Sequence, residues 1–294
     1  METILKTILI SFFKIFAKIS PSLTAKIAWS FFCRPRIRKK PLSKFESRLL
    51  QQAKKNSINS GEYEISVYEW RNLTNSDEAK TVLLTHGWGG HALNFAHIIV
   101  KLLESDFNVV AYDSPAHGKS SGKQTNLLCN TQALLDVNNN VGAIHALIGH
   151  SYGTMANAYA LELSKNTAQL TTVEKLILIA GPNKLADIFA SFTQAMQLPG
   201  SILRIFHQKL ETIAKRKVES MSVVEFLKIY KGETLVVHDH KDRVVPISEA
   251  DSVANSVEAA TLFATSGCGH FRILTDKNVS DKIINFLNTP TVKH

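Results

Sequence analysis

The sequence predicts an α/β fold: a doubly wound, mostly parallel sheet of about eight strands with helices on both of its faces. From about residue 81 onward, short apolar runs alternate with longer amphipathic segments, as strands alternate with crossover helices. The runs are almost continuously apolar, which is typical of parallel strands buried on both faces. With 294 residues, 45% of them hydrophobic and 20% charged, the chain is long enough to form one large core.

The strands are predicted in order along the chain. Residues 62–70 alternate polar and apolar side chains, which favours an edge or antiparallel strand. The apolar runs that predict the other strands cover residues 81–85, 108–112, 143–148, 175–180, 234–238 and 261–264. Helical periodicity predicts further elements over residues 92–103, 125–141, 154–163 and 278–287.

A long gap separates the strand that ends at residue 180 from the one that begins at residue 234. It holds about fifty residues, more than a single crossover helix needs. Helical patterns predict a cap insertion here, at about residues 183–232, above the carboxyl end of the sheet. Its apolar residues either line an acyl pocket or pack the insertion onto the domain; they are Ile188, Phe189, Phe192, Met196, Leu203 and Phe206.

The net charge of +9 is concentrated in an N-terminal arm, residues 1–58, which precedes the main domain at residues 59–294. Residues 1–55 carry thirteen Lys and Arg against two Glu, a net charge of +11, so the rest of the chain is close to neutral. This distribution, without a nucleic-acid recognition motif, argues against a nucleic-acid-binding protein. The three cysteines lie far apart and lack metal-ligand spacing, which favours a reducing compartment.

The arm begins with an amphipathic pattern over residues 4–19, which predicts a helix. Its apolar face holds Ile4, Leu5, Ile8, Leu9, Phe12, Ile15, Phe16 and Ile19. The other face holds Lys6, Thr7, Ser11, Lys14 and Lys18, with Ile10 and Ala17 as misfits. Pro21 after Ser20 predicts a second helix toward Phe32, and a basic linker follows at residues 34–41.

Two interpretations of the arm stay open. Residues 1–40 either make peripheral contact with an anionic membrane, or pack their apolar face on the domain or on a second subunit. Lysines interrupt every apolar run, so the pattern is too short for a membrane span, and Lys14 and Lys18 break the apolar region that a signal peptide needs. The expected location is cytoplasmic, or peripheral on the inner face of a membrane. The oligomeric state stays open.

The candidate nucleophile lies in Gly149-His-Ser151-Tyr-Gly153, where an apolar run meets an Ala-rich helical segment. Glycines on either side of the serine permit a tight strand-to-helix turn, in which backbones approach closely. Such a turn exposes the serine hydroxyl beside the free N–H groups of the following helix. Ser151 is therefore the predicted nucleophile if the chain also supplies a base, an acid and oxyanion donors.

The predicted base is His270, because a serine hydroxyl reacts only when a base takes its proton. It is one of eleven histidines and follows the last predicted strand in a glycine-rich loop. The acid that orients its imidazole is predicted to be Asp242, past the end of the preceding strand. Asp239 in the same turn, and Asp187 after the strand that ends at residue 180, remain alternatives.

The predicted oxyanion hole consists of two backbone N–H groups. Tyr152 follows the nucleophile at the start of the helix and supplies one. The second is predicted to come from Trp88, in the loop His86-Gly-Trp-Gly-Gly90 after the strand at residues 81–85. Glycines in that loop let backbone amides come close to a substrate.

Taken together, these motifs resemble the α/β-hydrolase-fold serine hydrolases of the esterase and lipase type. In family order, the match comprises residues 86–90, 113–120, 149–153, 238–246 and 267–270, and it covers about residues 62–290. Two positions depart from the family pattern: Asp239 stands where glycine is common, and Thr154 stands where a smaller residue is usual. In the family, residues 113–120 shape a loop beside the site, which implies a structural rather than catalytic His117.

The resemblance implies two-step acyl transfer to water by a Ser151-His270-Asp242 triad, with no cofactor and no metal. The implied substrate is a small-molecule carboxylic ester with a hydrophobic acyl group. An acyltransferase or a thioesterase on the same triad is the first alternative. A membrane-associated binding protein that has lost turnover is the alternative from another class.

Overall fold

One eight-stranded sheet forms the centre of the protein. The computed structural model describes residues 2–36, 41–72, 74, 78–167 and 169–290, with side chains from residue 10 onward. The strands are β1 (Lys54–Ser60), β2 (Tyr63–Trp70), β3 (Thr81–Thr85), β4 (Asn108–Tyr112), β5 (Ala146–His150), β6 (Lys175–Ile179), β7 (Glu233–Asp239) and β8 (Ala260–Thr265). Their order is β1-β2-β4-β3-β5-β6-β7-β8. The β1–β2 and β2–β4 pairs are antiparallel and all others are parallel, which confirms the predicted α/β class.

Helices cover both faces of this sheet. They are α1 (Glu2–Ile19), α2 (Pro21–Phe32), α3 (Lys44–Gln52), α4 (Ala96–Glu104), α5 (Leu127–Val141), α6 (Tyr152–Leu163), α7 (Leu185–Ala195), α8 (Gly200–Ala214), α9 (Val223–Leu227), α10 (Ile247–Ser256), α11 (Gly269–Arg272) and α12 (Lys277–Asn288). Leu134, Met155 and Val253 bring α5, α6 and α10 into one core cluster, and Ile99 and Ile283 bring α4 and α12 into the other. The sheet is therefore doubly wound, as the nearly continuous apolar strands require.

Three helices, α7, α8 and α9, lie between β6 and β7, where the sequence predicts a helical insertion. Pro199 stands immediately before α8 and Gly200 is its first residue, so this pair separates α7 from α8 as the sequence indicates. We refer to α7–α9 as the cap.

The sheet begins earlier in the chain than the sequence indicates. Strand β1 starts at Lys54, within the segment assigned to the arm, and pairs along its whole length with β2. Ahead of it, α3 carries a reciprocal capping box between Ser43 and Glu46.

The arm packs on the cap through α2. The Trp29 ring contacts those of Phe189 and Phe206 at centroid distances of 5.7 and 5.2 Å. Helix α1 adds Phe13 and Ala17 to the same core cluster. Residues 37–40 of the predicted linker lie outside the described residues.

The predicted apolar face of α1 is not the face that packs. Ile10, Phe13 and Ala17 contact the core, and two of these were misfits on the helical wheel. Phe12, Ile15 and Ile19 lie on the opposite side and are exposed. Ile4, Leu5, Ile8 and Leu9, assigned to that side by the sequence, lie outside the described side chains. In the part of the chain that the structure describes, no helix has the length and apolarity needed to cross a bilayer.

Candidate active site

Ser151 stands at the apex of a sharp turn between β5 and α6. Its backbone has φ 52° and ψ −123°, a left-handed conformation that a non-glycine residue rarely adopts. The Ser151 N–H donates to Ile179 O at 2.8 Å, which ties the turn to β6. The turn requires both flanking glycines: a Cβ at Gly149 would lie 2.7 Å from Thr154 N, and one at Gly153 would collide with Thr85 O.

Thr154, the departure from the family pattern, fits because a glycine lies opposite it. A Cβ at Gly181 would collide with the Thr154 hydroxyl. That hydroxyl donates to Ser151 O at 2.7 Å, inside the turn itself. The larger side chain thus adds a hydrogen bond within the turn.

His270 lies beside Ser151, at the start of the short helix α11 that follows β8. Its Nε2 is 3.0 Å from Ser151 Oγ, and its Nδ1 is 2.7 Å from Asp242 Oδ2. The three residues form one hydrogen-bonded series, although Ser151 and His270 lie more than a hundred positions apart along the chain. This geometry lets the imidazole accept the serine proton while the carboxylate holds the proton on Nδ1.

The Asp242 side chain is buried, and both of its oxygens have hydrogen-bond partners. Oδ2 faces His270, and Oδ1 accepts from the backbone N–H groups of Val244 and Val245 at 2.7 and 2.9 Å. Burial alone would raise the pKa of this carboxyl group. The hydrogen bonds from His270 and from the two amides outweigh burial, so the pKa lies below its usual value and Asp242 stays ionised.

Asp239, the alternative acid, has a different set of partners. It accepts from Thr265 Oγ1 at 2.7 Å and from the backbone amides of Lys241, Gly267 and Cys268. Burial raises its pKa, but these donors more than compensate and hold it well below its usual range. Asp239 therefore fastens the loop that carries His270 to the end of β7.

Asp187, the remaining alternative, lies in the first turn of α7 and lines a cavity beside Ser151. The carboxylate hydrogen-bonded to His270 is that of Asp242. The structure thus brings together the serine, the histidine and the first-choice acid.

The loop after β3 lies directly against the serine. A Cβ at Gly87 would lie 2.8 Å from Ser151 Cβ. Gly90 N donates to Gly87 O at 3.0 Å and Gly89 has φ +73°, so residues 87–90 form a type II β-turn. Trp88 is the second residue of that turn, whose N–H takes no part in the turn's hydrogen bond.

Tyr152 is the first residue of α6, so its N–H belongs to the turn of the helix that has no intrahelical acceptors. Its ring packs edge-on against Trp88, with the centroids 5.2 Å apart. The two predicted oxyanion donors therefore belong to residues whose rings are in contact beside Ser151.

Two buried histidines support the oxyanion loop. His117 Nε2 accepts from Gly89 N at 3.0 Å while Nδ1 faces Pro115 O, and His86 Nε2 accepts from Ser114 N at 2.9 Å. Burial lowers the pKa of His86 to about 4 and that of His117 to about 3, so both rings are neutral acceptors at pH 7. His117 acts on the loop and not on the serine, as the resemblance implies.

Comparison with known proteins places the chain in a family. The model of the alpha/beta hydrolase family matches residues 82–281. The chain belongs to this family.

The fold of this hydrolase-family chain is also found in solved structures of low sequence identity. Est1E from Butyrivibrio proteoclasticus with bound ferulic acid has a TM-score of 0.61 and 17% identity, over 80% of this chain and 100% of that one. An esterase from Exiguobacterium antarcticum has a TM-score of 0.58 and 16% identity, over 80% of this chain and 99% of that one. The thioesterase domain from the curacin biosynthetic pathway has a TM-score of 0.58 and 18% identity, over 81% of this chain and 99% of that one. No curated protein sequence matches significantly.

Two cavities of about 580 Å³ each meet at Ser151. The first lies under the cap and is mostly apolar; Ile188, Phe192 and Met196 line it, as half of the predicted cap set. Phe189 and Phe206 are buried instead in the aromatic cluster with Trp29. The second cavity lies on the other side of the oxyanion loop, between that loop, α3 and α11. Among the described residues, no cluster of His, Cys, Asp or Glu could hold a metal ion.

The sequence does not predict two contributions to this site. Phe31 and Phe32 of α2 line the cavity under the cap, so the arm builds part of its wall. His150 Nε2 donates to His270 O at 2.9 Å, which fixes the backbone of the base. Burial and the neighbouring His270 lower the pKa of His150 to about 3. Both contacts join distant segments, and no local pattern signals them.

Proposed function

We propose that the protein is a serine hydrolase that cleaves carboxylic esters with a hydrophobic acyl group, through an acyl-enzyme on Ser151. The observation that carries this proposal is the hydrogen-bonded series from Ser151 through His270 to buried, ionised Asp242. It stands at the mouth of an apolar cavity in a family of hydrolases.

In the first half-reaction, His270 Nε2 takes the hydroxyl proton as Ser151 Oγ attacks the ester carbonyl. The N–H groups of Trp88 and Tyr152 donate to the resulting oxyanion. The tetrahedral intermediate collapses, the C–O bond to the alcohol breaks, and His270 donates its proton to the departing alkoxide.

In the second half-reaction, water replaces the alcohol. His270 takes a proton from water as its oxygen attacks the acyl-enzyme, and the same two amides hold the second oxyanion. Collapse releases the carboxylic acid, and the proton on His270 returns to Ser151 Oγ. Throughout, Asp242 keeps the proton on Nδ1 and stabilises the imidazolium.

We assign one half of the ester to each of the two cavities. The cavity under the cap is the more apolar and accommodates the acyl chain, against Phe32, Ile188 and Phe192. The cavity beyond the oxyanion loop, with His97 and Glu46 in its wall, accommodates the alcohol. The solved neighbour named above as an esterase is consistent with this substrate class, and the thioesterase domain supports the alternative leaving group.

The test is hydrolysis of p-nitrophenyl esters from acetate to palmitate by the wild type, Ser151→Ala and Ser191→Ala. Ser191 lines the same cavity but lies outside the hydrogen-bonded series, so it controls for loss of a wall hydroxyl. We expect the wild type and Ser191→Ala to hydrolyse one range of chain lengths, and Ser151→Ala to lose at least about 10⁴-fold in kcat.

A second readout uses an alkyl fluorophosphonate, which should add one phosphonyl group to Ser151 as detected by peptide mass spectrometry. If the protein cleaved acyl thioesters but not esters, the substrate in the proposal would become a thioester. Absence of both turnover and labelling in a folded protein would overturn the proposal in favour of a binding protein.

A further inference from the structure

We propose that the outward side of α1 is a docking surface for an anionic lipid membrane. This surface consists of Phe12, Ile15 and Ile19, whose side chains are 42%, 63% and 73% exposed. Their spacing of three and four residues puts them on one side of the helix. A contiguous patch of large apolar side chains exposed on a folded protein commonly marks an interaction site.

The surface stays largely exposed although it adjoins the cap, where Ile15 lines a cavity with Leu198 and Pro199. Helix α1 contacts the core through Ile10, Phe13 and Ala17 on its other side, and Phe13 is fully buried. Phe12 stacks on Phe16 at 5.0 Å within the helix. The apolar residues of the outward side therefore remain available after the arm has folded onto the cap.

Exposed lysines lie near this surface. Lys14 and Lys18 are exposed on α1, and Lys26 is exposed on α2 beside exposed Leu23 and Ile27. The sequence has no acidic residue between Glu2 and Glu46. An apolar stripe with lysines nearby matches the boundary between acyl chains and acidic headgroups, where lysines near the surface add electrostatic attraction.

The same charges disfavour a second copy of this chain as the occupant. In a twofold interface each surface meets itself, so Lys14 and Lys18 of one copy would approach those of the other. No acidic side chain of the segment is present to compensate. A membrane supplies the opposite sign of charge, whereas a homodimer supplies the same sign.

The experiment is co-sedimentation of the full chain with vesicles of phosphatidylcholine and phosphatidylglycerol, and with phosphatidylcholine alone. The variants are Ile15→Glu/Ile19→Glu and the control Leu163→Glu, an exposed apolar residue at the far end of α6. Deleting the arm is unsuitable, because α2 contributes Trp29 to the core.

We expect the wild type and Leu163→Glu to bind the anionic vesicles, and binding to fall at least about tenfold on neutral vesicles or in the double variant. Raising the salt from 0.05 to 0.5 M should also weaken binding. Thermal unfolding and hydrolysis of a water-soluble substrate by the double variant should match the wild type.

Three results would overturn the proposal. One is no sedimentation of the wild type with anionic vesicles, and another is equal binding by the double variant. The third combines two observations. In analytical ultracentrifugation the wild type is a dimer and the double variant a monomer, and neither protein binds vesicles. None of these depends on Ser151, so failure here leaves the proposed hydrolase activity untouched.

Discussion

At the scale of single residues, Asp239 and Asp242 show how the backbone decides the role of a carboxylate. Both are buried near the end of β7 and both have a lowered pKa. Asp239 is fully occupied by Thr265 and by loop amides, so it holds the loop that carries His270. Asp242 uses one oxygen for amides and leaves the other for the imidazole.

This division predicts different effects of the same substitution. Asp242→Asn should lower kcat by roughly 10³–10⁴-fold, because an amide cannot hold the proton on His270 Nδ1 in the required tautomer. Asp239→Asn should chiefly lower the free energy of unfolding, by about 1–3 kcal/mol, because an amide group donates where two backbone donors need acceptors. Ester hydrolysis and urea unfolding of both variants measure the two effects. Equal losses of kcat at both positions would contradict the assignment.

Much of the candidate site is predictable at this scale, and part is not. Ser151 is marked by its flanking glycines, and His270 by its place after the last strand. Asp239 and Asp242 share the same turn in the sequence, and they are distinguished only when the positions of the amides are known. The neutral donor His150 acts through a carbonyl 120 residues away, so local sequence carries no sign of it.

At the scale of elements, the cap cavity is shared between α7 and α2. Phe192 lines the cavity, whereas Phe189 lies behind it, in edge-on contact with Phe206 at 5.7 Å. The Phe32 ring contacts those of Phe189 and Phe192, with a centroid distance of 5.1 Å in each case. The wall of the cavity and the aromatic core of the cap are thus two layers of one packing arrangement.

Substitutions in the two layers should therefore separate specificity from stability. Phe192→Ala should enlarge the cavity and move the preferred p-nitrophenyl ester toward longer acyl chains. Phe189→Ala, a matched deletion in the buried layer, should leave the preferred length unchanged and lower the free energy of unfolding by about 3–5 kcal/mol. Chain-length profiles and urea unfolding of both variants test this. An unchanged profile in Phe192→Ala would place the acyl chain elsewhere.

The elements that the sequence misses have physical reasons in common. Strand β1 reads Lys-Lys-Asn-Ser-Ile-Asn-Ser, with Ile58 as its one β-branched residue and no aromatic residue, and β2 is the strand with which it pairs in the sheet. Helix α10 is short and polar, and follows Pro246. Helix α3 did carry a signal, since Ser43 and Glu46 form a capping box. The buried strands and longer helices are predictable because their periodicity reflects burial directly.

At the scale of the whole molecule, buried neutral histidines tie stability to pH. Burial lowers the pKa of His86 to about 4, and those of His117 and His150 to about 3. In the unfolded chain these groups bind protons near pH 6.5. The unfolded state therefore takes up more protons as pH falls below about 6.5, and stability declines from there toward pH 4.

Urea unfolding between pH 7.5 and 4.5 should show this decline as a falling midpoint. His117→Gln is the control, because its amide oxygen accepts from the Gly89 N–H without titrating. The variant should lose less stability than the wild type over the same range. The slope of its free energy of unfolding against pH should be smaller by the contribution of about one proton. A midpoint independent of pH in the wild type would contradict the neutral, buried state of these rings.

The contact between the arm and the cap also sets an order of events during synthesis. Trp29 packs on Phe189, which the ribosome adds 160 residues later. At about 5–20 residues per second, that delay is on the order of ten to thirty seconds. For all of that time, the packing side of α2 lacks its partners in the cap. Trp29 cannot reach its buried position until Phe189 and Phe206 have been synthesised, so the arm joins the core only after the cap exists.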